Sequence, residues 1–349
     1  MSYFRPAIDA TPGYMPGEQP PPGAPVLKLN TNENPYPPSP QAIAVLQTLD
    51  GEWLRRYPDP YGRDFCQAVS QALGVPETWL LLGNGSDELL TLLMRACVEG
   101  RDRPIAYPTP TYVLYPTLAS FQPAHTIEIP YGPDFHLPIE ELVATQAALT
   151  LIATPNSPTG HAVPLADLRH LAKRTAGIVV IDEAYVDFAE TTALPLVQEF
   201  ANVIVLRTLS KGYSLAGLRL GFAIAQPGLI NPLFKVKDSY NMDAIALRVG
   251  AAAMADQAYK NACAERVKRS RDLLTTALTQ LNFAVLPSQG NFVLATPPAR
   301  NAEALYLALK AQGILVRYFK QPGLDDKLRI TVGTDAQIEQ LIAALSPML

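Results

Sequence analysis

The chain has 349 residues, 48% of them hydrophobic and 17% charged, with a net charge of −4. That length can bury a large core and suggests two domains or one large one, while the lack of any basic block leaves no electrostatic footprint for nucleic acid or an anionic membrane. No apolar run is long enough to span a bilayer or to form an N-terminal signal peptide, so a cytoplasmic location without a membrane partner is expected. The cysteines Cys66, Cys97 and Cys263 are scattered, which fits reduced thiols better than a disulfide framework. The four histidines lack metal-ligand spacing, and no metal site is expected.

Proline dominates the start of the chain: eleven of the 33 prolines fall in residues 6–40. Proline cannot sit inside a helix or a central strand, so this segment reads as an extended arm. Its apolar residues (Tyr3, Phe4, Ile8, Tyr14, Val26, Leu27, Leu29, Tyr36) favour an arm docked on a surface. A helix is predicted over 40–54, then a break at RRYPDPYGR, then a second helix over 64–73 ending at Gly74. Next come Leu80-Leu81-Leu82, the turn Gly83-Asn84-Gly85-Ser86-Asp87-Glu88, and an apolar run over 89–98. This predicts a strand, a glycine turn and a helix with Ser86 as N-cap. Free N–H groups at such a start favour an anion, although an ordinary capped helix fits these residues equally well.

From there strands and helices alternate. Strands are predicted at 105–107, followed by PTPTY with Tyr112, at 126–129, and at 150–153, followed by TPNSPTG. A helix over 165–175 carries Leu165, Leu168, Leu171 and Ala172 on one stripe, with Gly177 as its C-cap. Strand 178–181 ends in Asp182-Glu183-Ala184-Tyr185. Strand 203–206 leads to Thr208, Ser210, Lys211 and Gly212, and a further strand is predicted at 220–225. Near-continuous apolar strands alternating with helices argue for a parallel, doubly wound sheet, whose ligands gather at the carboxyl ends of the strands. Asn156, Asp182 and Lys211 each follow a different strand. A lysine just past a buried strand end is suited to Schiff-base chemistry, and the nearby hydroxyls and Arg219 suit a phosphate. On these residues alone a solvated loop lysine fits as well. A nucleotide P-loop is excluded, because Leu218-Arg219 follow Gly217 where Lys and Ser/Thr are needed.

Beyond residue 239 the pattern becomes α+β: a long, broken helical region over 244–281, then short strands at 283–286, 290–294, 314–316 and 328–332, with helices at 302–311 and from 336. The expected organisation is an arm (1–40) packing with a small C-terminal domain (239–349), and a large domain (41–238) between them.

The motifs GNGSDE, PTY, PNSPTG, IDEAY and SKGYSLAGLRLGF resemble those of fold-type-I pyridoxal-phosphate (PLP) aminotransferases over essentially the whole chain. YMPGE, LNTNENPYPPSP, RRYPDP, SQGNF, LVRYF and LRITVGT are most similar to the histidinol-phosphate aminotransferase group. The resemblance implies a large domain with a mostly parallel sheet, a smaller α+β domain, PLP as cofactor, and transfer of an amino group from L-histidinol phosphate to 2-oxoglutarate in histidine biosynthesis. It implies that Lys211 bonds to the cofactor and moves the proton, that Asp182 pairs with the ring nitrogen, and that Asn156 and Tyr185 hydrogen-bond the ring hydroxyl. Tyr112 would stack on the ring. Gly85, Ser86, Asp87, Thr208, Ser210 and Arg219 would surround the phosphate. Tyr57 would reach the cofactor of a neighbouring subunit, which makes a homodimer with shared active sites the expected assembly. Tyr14, Asn34, Tyr57, Arg317 and Arg329 would meet the substrate. Two departures stand out: Ser157 where many members carry Asn, and Gly212-Tyr213-Ser214 where Ala-Phe-Gly is commoner. Related enzymes acting on aromatic amino acids, or decarboxylating threonine phosphate, share most of these motifs. A PLP-binding regulator usually adds a DNA-binding module, for which this length and charge leave no room.

Overall fold

The computed structural model describes residues 2–349 apart from positions 12, 14–16, 22, 100–102, 123 and 300. Its centre is a seven-stranded sheet in the order Leu80–Asn84, Leu220–Ile224, Val203–Thr208, Ile178–Asp182, Leu149–Ala153, Ile105–Thr109, Thr126–Pro130. The apolar runs behave as a doubly covered sheet requires: Val203 and Val205 enter one core, Ile204 and Leu206 the other. The sheet is mostly parallel. Leu220–Ile224 alone runs against its neighbours on both sides. Register sets Ala153 beside Asp182 and Asp182 beside Leu206, so three strands end together at one edge.

A second core surrounds a four-stranded antiparallel sheet, ordered Arg317–Tyr318, Leu328–Thr331, Phe292–Thr296, Ala284–Val285. Helix Ala244–Ala255 gives Ala246, Leu247, Val249, Ala253 and Met254 to the first core. Helix Gln257–Gln280 gives Ala264, Val267, Leu274 and Leu278 to the second. Asp256 separates them and caps the second helix by accepting from the Tyr259 N–H. We therefore propose the divide between the two bodies at Asp256 rather than at 239.

Several boundaries differ from expectation for local reasons. The predicted helix over 40–54 is two helices, Pro40–Leu46 and Gly51–Leu54, because Asp50 turns its carboxylate onto the Trp53 N–H and starts a new one. Helix Leu165–Arg174 closes at Thr175, not Gly177. A Cβ on Gly177 would lie 2.1 Å from the Ala147 carbonyl oxygen, so that glycine serves close approach to a neighbouring segment. The arm also divides. Leu27–Lys28 pairs in parallel with Ile314–Leu315, and Leu27 and Leu29 join the second core. Earlier residues instead meet the large body: Arg5 donates to the Phe121 carbonyl at 2.7 Å and Thr11 bonds Ser120 at 3.2 Å. Tyr3 and Phe4 are exposed rather than docked. No helix among the described residues is long and apolar enough to cross a membrane.

One buried ion pair braces the sheet below its functional edge. Arg207 donates to Glu183 Oε2 at 2.8 and 3.0 Å, and both groups bond the Thr192 hydroxyl. Removing one partner leaves the other charge uncompensated. Arg207→Met is expected to destabilise the protein by about 3–5 kcal/mol, read from its urea unfolding midpoint. A change under about 1 kcal/mol, the range of exposed pairs, would contradict this account of the pair.

Candidate active site

The carboxyl edge of the large sheet opens into a cavity of about 180 Å³. Its walls come from segments that follow the strand ends, bearing Thr111, Tyr112, Pro155, Ser157, Asp182, Tyr185, Thr208, Ser210 and Lys211, and from the helix start with Ser86 and Asp87. Gly17, Asn30, Thr31 and Asn32 of the arm face them, together with Arg317, Phe319 and Arg329 of the second body. The cavity thus exists only where the two bodies and the arm meet.

One end is built for an anion. Gly85, not Ser86, is the N-cap of helix Ser86–Cys97, in a left-sided conformation (φ +77°). A Cβ there would lie 2.7 Å from Arg219 Nη2, and one on Gly221 would lie 2.7 Å from the Ser86 nitrogen. The two glycines let the helix start, the strand and the guanidinium close up. Arg219 donates to Ser210 Oγ at 3.4 Å and to Asp87 Oδ2 at 3.1 Å, while Thr208 donates to Ser210 Oγ at 2.9 Å. Tyr112 donates to the other Asp87 oxygen at 3.2 Å. Free helix N–H groups, two hydroxyls and a guanidinium converge as a phosphate requires.

Lys211 lines the cavity. Its Nζ donates to the Thr31 carbonyl at 3.2 Å and sits 5.7 Å from the Tyr185 ring centroid. Asn34 donates to the carbonyls of Lys211 and Gly212 at 3.1 and 3.3 Å. It does not line the cavity, and holds the lysine's backbone. Asn32 takes the inward place, donating to the Tyr185 hydroxyl at 2.9 Å.

Asp182 is buried in the cavity wall. Its Oδ2 accepts from the Tyr115 hydroxyl at 3.0 Å and its Oδ1 from the Ala184 N–H at 3.1 Å. Burial pushes this carboxyl up to about 6, against the two hydrogen bonds, with Asp87 and Glu183 adding to the rise. Asn156 departs from expectation. It is wholly buried behind the wall formed by Pro155 and Ser157, donating to Thr159 Oγ1 at 2.7 Å and to the Pro110 carbonyl at 3.0 Å and accepting from Thr111 Oγ1 at 2.7 Å. Both amide hydrogens go to protein acceptors, so it braces two loops in this arrangement.

At the far end Arg329 donates to Ser157 Oγ at 3.0 Å and to the Asn30 carbonyl at 2.9 Å. The Phe319 ring lies 5.3 Å from the Arg317 guanidinium carbon and 5.5 Å from that of Arg329. Four cationic side chains, Lys211, Arg219, Arg317 and Arg329, share the cavity with two carboxylates, Asp87 and Asp182. The balance favours anionic ligands.

Of the expected site residues, Tyr57 lies away from this cavity. It is 82% exposed and stacked on Tyr240 at 4.5 Å. Tyr14 falls outside the described residues. Sequence reasoning missed Tyr115, Thr111, Asn32 and Phe319. Of these, Asn32 carried a local signal, sitting in the asparagine-rich LNTNENP that had singled out Asn34. Among the described residues no group of three or more His, Cys, Asp or Glu could hold a metal ion.

Comparison with known proteins agrees with this geometry. The family model for aminotransferase class I and II matches residues 24–345. The chain is 61% identical over 348 residues to histidinol-phosphate aminotransferase 1 of Trichormus variabilis, covering 100% of this chain and 99% of the relative. It is 44% identical to histidinol-phosphate aminotransferase of Geobacter sulfurreducens, covering 98% of each. The structure superposes on histidinol-phosphate aminotransferase from Sinorhizobium meliloti in complex with pyridoxal-5'-phosphate with a TM-score of 0.89 at 26% identity, over 99% of this chain and 97% of that one. A lysine, a buried carboxylate and an anion cradle at one sheet edge, together with these full-length matches, establish that the chain belongs to the class I and II aminotransferase family.

Proposed function

We propose that the protein transfers the amino group of L-histidinol phosphate to 2-oxoglutarate, giving imidazole acetol phosphate and L-glutamate, with PLP as cofactor. The observation that carries the substrate is 61% identity, over the full length, to a protein named for that reaction. The site's chemistry supports it. The donor bears a phosphate and no carboxylate, the acceptor two carboxylates, and one cavity must take both in turn. Planar guanidinium forks at Arg317 and Arg329 suit either anion.

The residues present fit PLP. The glycines at 85 and 221 leave a cradle that a Cβ would fill, beside Arg219, Ser210 and Thr208, which would hold the cofactor phosphate with the helix start at Ser86. A carboxylate buried in the cavity wall would be stabilised by a cationic ring nitrogen, which supports Asp182 as that nitrogen's partner. Tyr185, oriented by Asn32, would face the ring hydroxyl, and Tyr112 would cover the ring. When bound, PLP supplies the carbonyl that takes up the amine and a ring that accepts electron density from the substrate carbon losing its proton. Lys211, whose Nζ donates to the Thr31 carbonyl in this structure, would hold the cofactor covalently. Its free Nζ would then serve as the base that removes the substrate's proton and as the acid that returns it.

Turnover of L-histidinol phosphate with 2-oxoglutarate, compared with phenylalanine, tyrosine and phosphothreonine as donors, tests the substrate. The reading expects the highest kcat/KM for L-histidinol phosphate, and a higher value for an aromatic amino acid would replace it. We further propose a homodimer in which Tyr57 completes the partner's site. Its exposure, and its absence from the lining of its own cavity, support this. Tyr57→Phe should weaken PLP binding about tenfold, the worth of one hydrogen bond to an ionised group. A fully active monomer in sedimentation would rule the arrangement out.

A further inference from the structure

We propose that Tyr115 is a positioning residue that fixes the ionised Asp182 carboxylate in the cavity wall and thereby sets the lower pH limit of PLP binding. The proposal rests on the PLP reading above, and goes beyond it by assigning a role to a residue outside the cavity lining.

Tyr115 belongs to helix Leu114–Ser120 and is completely buried. Its ring is held by Tyr107 at 5.9 Å and, edge to face, by Tyr112 at 5.7 Å. A tyrosine hydroxyl taken out of water needs a partner, and this one donates to Asp182 Oδ2. Burial, with Asp182 beside it, raises its own ionisation well above the ordinary range, so it remains a donor wherever the protein is folded. With the Ala184 N–H on Oδ1, each carboxylate oxygen takes one donor, which fixes the plane of the group and the direction of its remaining lone pairs.

The charged and titratable groups around this pair come from every side. Asp87 from the helix Ser86–Cys97 and Glu183 next in sequence both disfavour ionisation of Asp182, and Tyr112 and Tyr131 lie near Tyr115. Lys211 and Arg219 occupy other walls of the same cavity. Against burial, the tyrosine is the larger of the two hydrogen bonds that favour the ionised form. A hydrogen bond to the charged form lowers a carboxyl's proton affinity, so removing it makes Asp182 hold its proton to higher pH. Cofactor that needs the ionised carboxylate then binds weakly over a wider acid range.

PLP affinity of the full-length protein, titrated by absorbance at a series of pH values, tests this in wild type, Tyr115→Phe, Asp182→Asn and the double variant. Wild type should lose affinity about tenfold per pH unit below a break near about 6. Tyr115→Phe, which keeps the ring and its packing, should show the same slope with the break about one unit higher, and near-wild-type affinity well above it. Asp182→Asn should lack this break, and adding Tyr115→Phe to it should change nothing further. An unmoved break in Tyr115→Phe, or equal weakening at every pH, would overturn the role of Tyr115 while leaving Asp182's intact. A break that persists in Asp182→Asn would overturn the Asp182 assignment itself.

Discussion

Lys211→Ala should lower transamination by at least about 10⁴-fold, because the proposed function gives one amine the duties of both covalent anchor and proton carrier. No neighbour can take over. Thr31 presents only a carbonyl to Nζ, and the next basic groups in the cavity, Arg219, Arg317 and Arg329, are guanidinium ions that do not deprotonate in proteins. The lysine's place is fixed from behind by Asn34 on its carbonyl and by Gly212, where a Cβ would lie 2.2 Å from Asp187 Oδ2. The anion cradle is untouched by the substitution, so the variant should still bind PLP without the visible band of the lysine-bound cofactor. Turnover and absorbance measured on one preparation check both halves. Ordinary turnover in this variant would remove Lys211 from the chemistry.

Asp182→Asn should keep the fold and lower turnover by about 10²–10³-fold, the usual effect of losing one preorganised electrostatic contact to developing charge. Asparagine fills the same space but cannot hold a positive ring nitrogen. The same substitution has a signature without cofactor. The carboxyl goes from the model-peptide value of 3.8 up to about 6 on folding, so the folded state binds its proton more tightly. Its contribution to stability is full below 3.8 and is lost as pH rises through about 6. Cofactor-free Asp182→Asn should therefore gain stability relative to wild type across that window, and added PLP should favour wild type. Parallel melting curves at several pH values would show the crossing, and curves that never diverge would contradict the buried-carboxylate account.

Much of this site was legible because its chemistry sits at the ends of simple strands. Ile178–Asp182 and Val203–Thr208 are apolar runs that stop at a polar residue, and a parallel sheet brings such stops to one edge. Asp182 and Lys211 could be placed together on that ground before any likeness was considered. The direction of Leu220–Ile224 was not legible, since an apolar run buried on both faces reads the same either way. Tyr115 gave no signal, because an aromatic residue on an apolar helix face looks like core packing until its hydroxyl's partner is known. LNTNENP alone does not separate Asn32 from Asn34; their partners do, the Tyr185 hydroxyl for Asn32 and the Lys211 carbonyl for Asn34. Asn156 was placed at the correct loop, but its amide goes to Thr159 and Pro110, acceptors that sequence spacing does not reveal. The arm's division between two bodies follows from contacts far apart in sequence, Arg5 with Phe121 and Leu27 with Ile314, which local pattern cannot encode.

In the proposed function one cavity runs both halves of an amino transfer from L-histidinol phosphate. The most direct test is the absorbance spectrum of the PLP-loaded protein before and after L-histidinol phosphate, with no oxo acid present. The visible band of the lysine-bound cofactor should disappear as the amine is taken up, and should return on adding 2-oxoglutarate. A band that L-histidinol phosphate leaves unchanged would contradict the assigned substrate.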